Sequence, residues 1–523
     1  MFVRKKRNKS GTISIQVIDK SRGRYRVSKT VGCTRNPDEV GRLYQKGQQI
    51  INNLHSNQLQ LLPLKSVTDL TIQNFTQDLA NAQVRTIGPE LIFGALFDQL
   101  GFGDIPDKLF RHLVIARLAY PTSKLKTVDY LYRYQGIKIS PQTIYRFLDK
   151  LHSTYQDRVE QITFRHTQQT LGTINVIFYD MTTLYFEADD EDDLRKVGYS
   201  KDGKFNQPQI MIGLLVGQQG LPIGYDIYPG NTFEGHTLIP ILDSIRDKYD
   251  LGRPVVIADS ALLSRTNLRA LDQAGYQYIV GGRIKNESQV IKDEILAKSK
   301  EMKNGDSFSI RRPDGNRLLV TYSSKRVAKD AHNRQRGLRR LEKKIRSGKL
   351  TKQQINNRGY NKFLTLEGEI KIDINQSKVR LDQRWDGLKG YVTNSRLWAK
   401  TIIKNYSQLW QIEKAFRISK TDLRIRPIYH YQQKRIEAHI CIAFTAYTLY
   451  KELERRLKTN GVEISPARAG ELTHTMYQLT YTLPNSNHSK HFILKMDSEQ
   501  QLLYDVIHNW SFPRLVRVSQ WWS

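Results

Sequence analysis

NVIFYD at residues 175–180 and VVIADS at residues 255–260 each set a short apolar run directly before an acid. Runs of this length and composition are read as buried strands, so Asp180 and Asp259 fall at strand ends rather than on a solvated face. Between them lie PQIMIGLLVG (208–217) and LPIGYDIYPG (221–230), joined by a Gly-containing turn and followed by a helix at about 235–249. A helix at about 264–274 and a further strand, YQYIVGG (276–282), come after Asp259. Three strands in antiparallel order, then strands separated by helices, predict a mixed α/β sheet. A carboxylate among apolar neighbours is costly unless something positive neutralises it. Neither strand offers an obvious basic partner, whereas a divalent cation would serve both.

Downstream, residues 283–388 interrupt this unit. They hold a very basic helical stretch, Lys325 to Lys352, with twelve Lys or Arg against Asp330 and Glu342. Strand-like segments flank it: FSIRR and RLLVTYS before, EIKIDI after. GYVTNS (390–395) returns to the sheet. A long helix is then expected from about Trp398 to Arg424, ending before Pro427. Within it Glu413 stands seven residues after Tyr406 and seven before Lys420. Seven residues advance a helix by about 700°, which places all three on one face, with Trp410 and Arg417 beside them. An acid flanked by a tyrosine and a lysine suits a metal ligand with phosphate-contacting neighbours. The bland alternative is a surface glutamate paired with Lys414 or Arg417. A second apolar helix covers about 434–457, and residues 451–523 form a C-terminal region whose tail is aromatic and basic.

Upstream, residues 1–50 carry thirteen Lys or Arg against three acids. Val3 to Lys20 reads as one strand, Ser21–Gly23 as a turn and Tyr25 to Val31 as a second strand. Together they predict a basic N-terminal hairpin, or arm, within residues 1–60. Residues 86–155 read as helical. One helix ends at Gly136, and Ser140–Pro141 supplies an N-cap hydroxyl and a first-turn proline for the next. Ile144, Phe147, Leu148 and Leu151 give that helix an apolar face, leaving Gln142, Thr143 and Arg146 outside it. This is the layout of a helix-turn-helix reading DNA through those three residues; an ordinary helical bundle fits the same pattern.

The 523-residue chain carries 82 Lys and Arg against 51 Asp and Glu, a formal charge of +31. Such an excess favours a polyanionic partner. No apolar run reaches the roughly 18 residues that would span a bilayer, and MFVRKKRNKS lacks the apolar stretch of a secretory signal. Two cysteines, Cys33 and Cys441, exclude a disulfide framework and a cysteine zinc site. A cytoplasmic, nucleoid-associated protein facing nucleic acid is expected, with no membrane partner.

With these motifs in view, the sequence resembles the DDE transposases of bacterial insertion sequences, in the branch with a Tyr–Arg–Glu–Lys helix signature. YDMTTLYFE matches the segment of the first aspartate, IADS that of the second, and YSQLWQIEKAFRISK the helix of the glutamate. GYSKDGK (198–204) and PGNTFEGHTL (229–238) resemble the linking segments. The resemblance implies a ribonuclease-H-like catalytic domain over about 170–450, interrupted by a β-rich basic insertion at 283–388. It implies that Asp180, Asp259 and Glu413 hold two Mg²⁺ ions, with Mn²⁺ as a substitute, for DNA strand cleavage and strand transfer. It also implies double-stranded transposon ends and target DNA as partners, and points to a homodimer in a synaptic complex. Tyr406, Trp410, Arg417 and Lys420 are then the DNA contacts of the helix. The signature arginine is replaced by Leu409, so its phosphate contact is expected to pass to Arg417. The alternative is a catalytically inactive, domesticated DNA-binding protein, against which the three intact acids argue. Asn231, Glu234 and His236 are expected in turn and cap roles, Glu187 to Asp193 in a solvated loop, and His430 and His439 in structural or DNA-facing roles.

Overall fold

The computed structural model describes residues 1–21, 23–58, 83–187, 190–200, 203, 205–249, 251–260, 264–348, 356, 359–367, 371–482 and 489–509. Of the segments singled out in the sequence, residues 22, 59–60, 188–189, 201–202, 204, 250, 261–263, 349–355, 357–358, 368–370, 483–488 and 510–523 lie outside these. The chain separates into two compact units, one of residues 1–83 with 480–490 and one of residues 84–479 with 491–523.

The first unit is a meander, not a hairpin. The stretch expected as one strand from Val3 to Lys20 is two, β1 (Phe2–Arg7) and β2 (Ile13–Asp19), and β3 (Arg26–Thr34) completes an antiparallel sheet. The chain reverses at Asn8–Gly11, where the Gly11 amide donates to the Asn8 carbonyl at 3.0 Å and Gly11 adopts φ +79°. That left-handed conformation is open to glycine at no steric cost, and this local turn chemistry overrides the apolar alternation that suggested a single strand. The helix Pro37–Gln58 packs against the sheet, with Ile15, Val17 and Ile18 buried beneath.

In the second unit a short strand, β4 (Val84–Thr86), is followed by helices, among them Lys108–Ala119, Lys124–Gln135, Pro141–Lys150 and Gln156–Leu171. The main sheet then forms from β5 (Val176–Tyr185), β6 (Gln209–Val216), β7 (Pro222–Pro229), β8 (Val255–Ala258) and β9 (Tyr278–Gly282). β5, β6 and β7 run antiparallel in sequence, while β8 and β9 are parallel to β5. This is the predicted order. Strands buried on both faces explain the near-continuous apolar runs.

The insertion does not stand apart from the sheet. β10 (Ser307–Arg311) and β11 (Arg317–Tyr322) join it through β14 (Leu388–Thr393), giving eight strands in the order β10-β11-β14-β9-β8-β5-β6-β7. The basic stretch folds as the helix Ser324–Arg346. A two-stranded ribbon, β12 (Leu364–Glu367) and β13 (Lys371–Ile374), shares a small core with it around Leu341, Phe363 and Val379. β15 (Tyr477–Thr482) pairs with β4.

Period-2 alternation sends Ile177, Tyr179, Val256, Ala258 and Val280 to one face, packed with the helices Leu238–Tyr249, Arg265–Gln273 and Gln289–Ser299. Phe178, Ile257, Ile279 and Tyr391 face the other way, in one core with the helical segment from Ile92 to Ile162 and the helix Gln433–Thr459. That last helix is buried on nearly every side. Its Glu452 is fully buried and accepts from Arg455 (2.7 Å) and Arg456 (2.7 Å), with His166 at 3.5 Å. Burial alone would raise the Glu452 carboxyl, but His166 and Arg455 outweigh it and hold the group well below the usual carboxylate range. Removing either partner of such a buried pair costs about 3–5 kcal/mol.

Candidate active site

The site is built on one row across the sheet. In the parallel ladder Tyr179 pairs with Ala258 and Ala258 with Val280, while β14 places Tyr391 opposite Gly281. One residue beyond, Asp180, Asp259, Gly281 and Tyr391 therefore lie side by side on four neighbouring strands. Adjacent strands lie about 4.8 Å apart, so two residues about eighty positions apart in the chain become neighbours. Asp180 shares the side of Phe178, the face covered by the helices that carry Tyr406 and Glu413.

Asp180 is not at a strand end, as its sequence context suggested. β5 continues through β-branched Thr182 and Thr183 to Tyr185, paired with β6 throughout, so the acid lies mid-strand. Asp259 does follow the last residue of β8. Asp180 is half-buried and Asp259 exposed. Each carboxylate accepts from the amide of the next residue, at 2.7 Å for Met181 and 2.6 Å for Ser260.

The expected single helix from Trp398 to Arg424 is three pieces. Ala399–Ser407 ends in a tight turn at Gln408–Leu409, Trp410–Arg417 restarts, and a wide π-turn, Ile418–Asp422, follows. The Leu409 amide bonds the Tyr406 carbonyl and the Ile412 amide the Leu409 carbonyl, both three residues back. Tightening at one end and widening at the other replace the uniform 100° step, and the three residues differ in burial: Tyr406 is buried, Glu413 exposed and Lys420 half-buried.

Tyr406 is buried and points at the sheet: its hydroxyl lies 2.6 Å from where a Cβ on Gly281 would stand. Burial raises its pKa, and the nearby negative charges of Asp259 and Glu413 raise it further. Glu413 is exposed. Lys414 pairs with Glu454 and lies 6.0 Å from the Trp410 ring centroid, and no ion pair joins Arg417 to Glu413 among the described residues. Neither cation takes up Glu413, against the bland alternative. Trp410 and Arg417 are exposed. Lys420, half-buried, lines an apolar cavity with Thr182, Leu214 and Phe416, farther along β5 than Asp180. Asp180, Asp259 and Glu413 do not close into a ligand cluster: among the described residues no group of three or more His, Cys, Asp or Glu stands close enough to hold a metal ion. Their oxygen-only donor set nevertheless fits a hard divalent cation.

Elsewhere, Ser140 accepts from the Thr143 amide at 3.2 Å, and Gly136 closes the preceding helix at φ +68°. Gln142 and Arg146 are exposed; Thr143 and Arg146 line a surface cavity with Lys108 and Lys150. His430 and His439 are buried, which makes them structural rather than DNA-facing. Asp192 accepts from Arg195 Nε at 2.6 Å within a turn. Glu234–His236 form a turn whose following Thr237 accepts from Tyr179 on the opposite face of the sheet.

Residues 171–449, more than half of the chain, match the family described as the transposase DDE domain. The chain belongs to the DDE transposases. It is thus an enzyme that cleaves DNA strands and transfers them. Among curated proteins none matches in sequence. Among solved structures, the piggyBac transposase synaptic complex with hairpin DNA is similar at 10% identity, covering 70% of this transposase and 69% of that chain with a TM-score of 0.38. The catalytic domain of the Mos1 mariner transposase is similar at 12% identity, covering 25% and 59%, with a TM-score of 0.15. No helix among the transposase's described residues is long and apolar enough to cross a membrane.

Three residues beside this row escaped the sequence reading. Gly281 provides the slot for Tyr406. Lys389, at the start of β14, reaches the Tyr406 ring at 4.5 Å and the Tyr391 ring at 5.3 Å. Arg283 donates to the Ser260 carbonyl at 2.8 Å. The double glycine of YIVGG was the one available signal for the first; the cations come from β14 and from just beyond the end of β9, strands whose pairing the local pattern does not reveal.

Proposed function

We propose that this transposase binds the ends of an insertion sequence and carries out Mg²⁺-dependent cleavage and strand transfer at Asp180, Asp259 and Glu413. The observation that carries this reading is the in-register adjacency of Asp180 and Asp259 under the helix of Glu413, within the family-matching segment. A pair of divalent cations supplies an activated water or 3′-hydroxyl and stabilises the leaving oxygen of an in-line displacement. Asp180 and Asp259 would hold them from the sheet and Glu413 from the helix. Tyr406, buried between Asp259 and Glu413, keeps the helix at its distance from the sheet. Trp410 and Arg417, exposed on either side of Glu413, face the DNA, with Lys420 as a point charge beyond.

DNA binding is assigned to three further surfaces. Gln142, Thr143 and Arg146 lie at the N-terminal end of a capped helix beside a cavity bordered by Lys108 and Lys150. The helix Ser324–Arg346 exposes Lys325, Lys329, His332, Arg336, Arg339, Lys343 and Arg346 at alternating steps of four and three. That spacing is one face of a helix. The N-terminal sheet adds Lys and Arg on its exposed strands. Synapsis of two ends calls for a homodimer.

The test is cleavage of a supercoiled plasmid carrying the element's terminal sequences, with Mg²⁺, with Mn²⁺ and with EDTA. Nicking at the ends with either metal and none with EDTA is expected. DNA binding without cleavage under every condition would leave the domesticated binding protein.

A further inference from the structure

Lys389 is an unusual neighbour for a row of acids. It extends the β14–β9 ladder one step past the Gly390–Gly282 pair, which places it beside Arg283. Alternation along β14 turns it to the side of Tyr391, the face of Asp180 and Asp259. Its ammonium lies over two aromatic rings, 4.5 Å from the centroid of Tyr406 and 5.3 Å from that of Tyr391. Such contacts hold a cation electrostatically without neutralising it. No carboxylate lies within ion-pair distance of Lys389 among the described residues. Asp259 is the acid in whose field it lies, and Arg326 and Lys329, from the start of the insertion helix, add positive charge around it.

Arg326 is only partly satisfied. Its Nε lies 3.5 Å from Asp330 and has no hydrogen-bond partner although it is buried. A buried donor of this kind is costly without an acceptor. Arg326 and Lys389 both line a cavity of about 620 Å³ that carries six Lys or Arg side chains against Asp330, Asp382 and Asp386. Those acids are engaged: Asp386 by Arg334 at 2.6 and 2.5 Å, Asp382 by Lys285 and Lys362, and Asp330 by the Gly387 amide at 3.2 Å. The uncommitted charge of this lining is therefore positive, and Lys389 carries it into the field of Asp259.

We propose that Lys389 and Arg326 form an anion site beside Asp259 that takes a phosphate of the DNA backbone, with the rings of Tyr406 and Tyr391 as the platform that aims the ammonium. This rests on the reading of Asp180, Asp259 and Glu413 as the catalytic acids. The site holds the strand next to the reacting phosphodiester and links the row of acids to the basic insertion helix. A planar guanidinium and a compact ammonium together suit a tetrahedral anion.

The experiment uses the full-length protein, a duplex of about 40 base pairs as binding probe, long enough for several phosphate contacts, and a supercoiled plasmid with Mg²⁺ as cleavage substrate. Lys389→Met keeps the apolar stem and removes the charge, Lys389→Arg keeps the charge, and Arg326→Gln removes the second donor. Lys389→Met is expected to lower cleavage at saturating DNA by about tenfold or more, with Lys389→Arg restoring most of it. The slope of log affinity against log salt should fall by at most about 0.9 in all, the share of the one phosphate no longer neutralised, and no further in the double variant Lys389→Met/Arg326→Gln than in Lys389→Met. Wild-type cleavage and slope in Lys389→Met would overturn the proposal, as would equal impairment by Met and Arg with an unchanged slope. Should Lys389→Met not fold, Arg326→Gln decides: its slope either falls by the share of one phosphate or sinks the site. Cleavage by Asp259→Asn, or none by the wild type, counts against the catalytic acids instead, and the salt slope still judges the anion site by itself.

Discussion

The hydroxyl of Tyr406 occupies the space that a side chain on Gly281 would need, 2.6 Å from the position of its Cβ, with the Ser260 side chain 3.2 Å away on the same side. Gly281 neighbours Asp259 in the parallel ladder, so the spacing between the helix of Glu413 and the acids of the sheet passes through this contact. Gly281→Ala is expected to displace Tyr406 and lower cleavage by about tenfold or more, because small misplacements of positioned groups are expensive. Tyr406→Phe makes room. In the double-mutant cycle the alanine should therefore cost much less in the Tyr406→Phe background than beside the native tyrosine. Additive effects would show that the two positions act independently.

Alanine at Asp180, Asp259 or Glu413 should abolish cleavage while leaving affinity for DNA within about twofold, since binding rests on phosphate contacts elsewhere. Asp259 and Glu413 are exposed, so these two variants should also melt with the wild type. Gel-based nicking and fluorescence anisotropy on the same preparations check both halves. Residual full activity in any one variant removes that residue from the site.

Charge reversal of Lys329, Arg336, Arg339 and Lys343 tests the exposed stripe of the insertion helix. The helix has 23 residues, a length of about 34 Å at 1.5 Å per residue. If it follows the DNA backbone, affinity falls for every sequence alike, and the salt slope drops by about one for each phosphate released. An unchanged slope would make it a solvated helix.

Arg417 is exposed and unpaired with Glu413, free to replace the arginine that Leu409 displaces. Its planar fork can grip a phosphate bidentately, which a lysine cannot. Arg417→Lys should therefore reduce cleavage of a terminal-repeat substrate severalfold, whereas Lys420→Arg should be mild. Near-normal cleavage by Arg417→Lys would exclude Arg417 as that contact.

Stability should fall with acid. Burial, with Lys124 adding repulsion, pushes His430 down to about 3, and the same causes hold His439 well below its usual range. Unfolded, both take up a proton near the ordinary value of about 6.5. The native state binds fewer protons below that pH, so stability is lost as pH falls from about 6.5 towards 3, at about 1.4 kcal/mol per pH unit for His430, with a loss of the same sign from His439. Glu452, held low in the fold, adds a loss of the same sign below its ordinary value of 4.5. Denaturant midpoints at several pH values between about 5 and 7 should show this slope, and His430→Phe should flatten it by one proton. An unaltered slope in that variant excludes His430 as a source.

The sequence alone determined whatever depends on near neighbours. The apolar runs before Asp180 and Asp259, the Ser140–Pro141 helix start and the order of strands and helices each follow from side-chain period and capping within a few residues. Where two local signals conflict, the fold chooses between them. The Asn8–Gly11 turn overrides the alternation of Val3 to Lys20, and the tight turn at Gln408–Leu409 and the π-turn after Arg417 replace a uniform helical step. Only the tertiary structure decided the rest. Strand register makes Asp180 and Asp259 neighbours, puts Gly281 under Tyr406, brings Lys389 to an acid 130 positions away, and draws β10 and β11 of the insertion into the main sheet. It also buries His430, His439 and Lys124 together. Register and burial are set by which distant surfaces exclude water together, and no local pattern of residue types carries that choice.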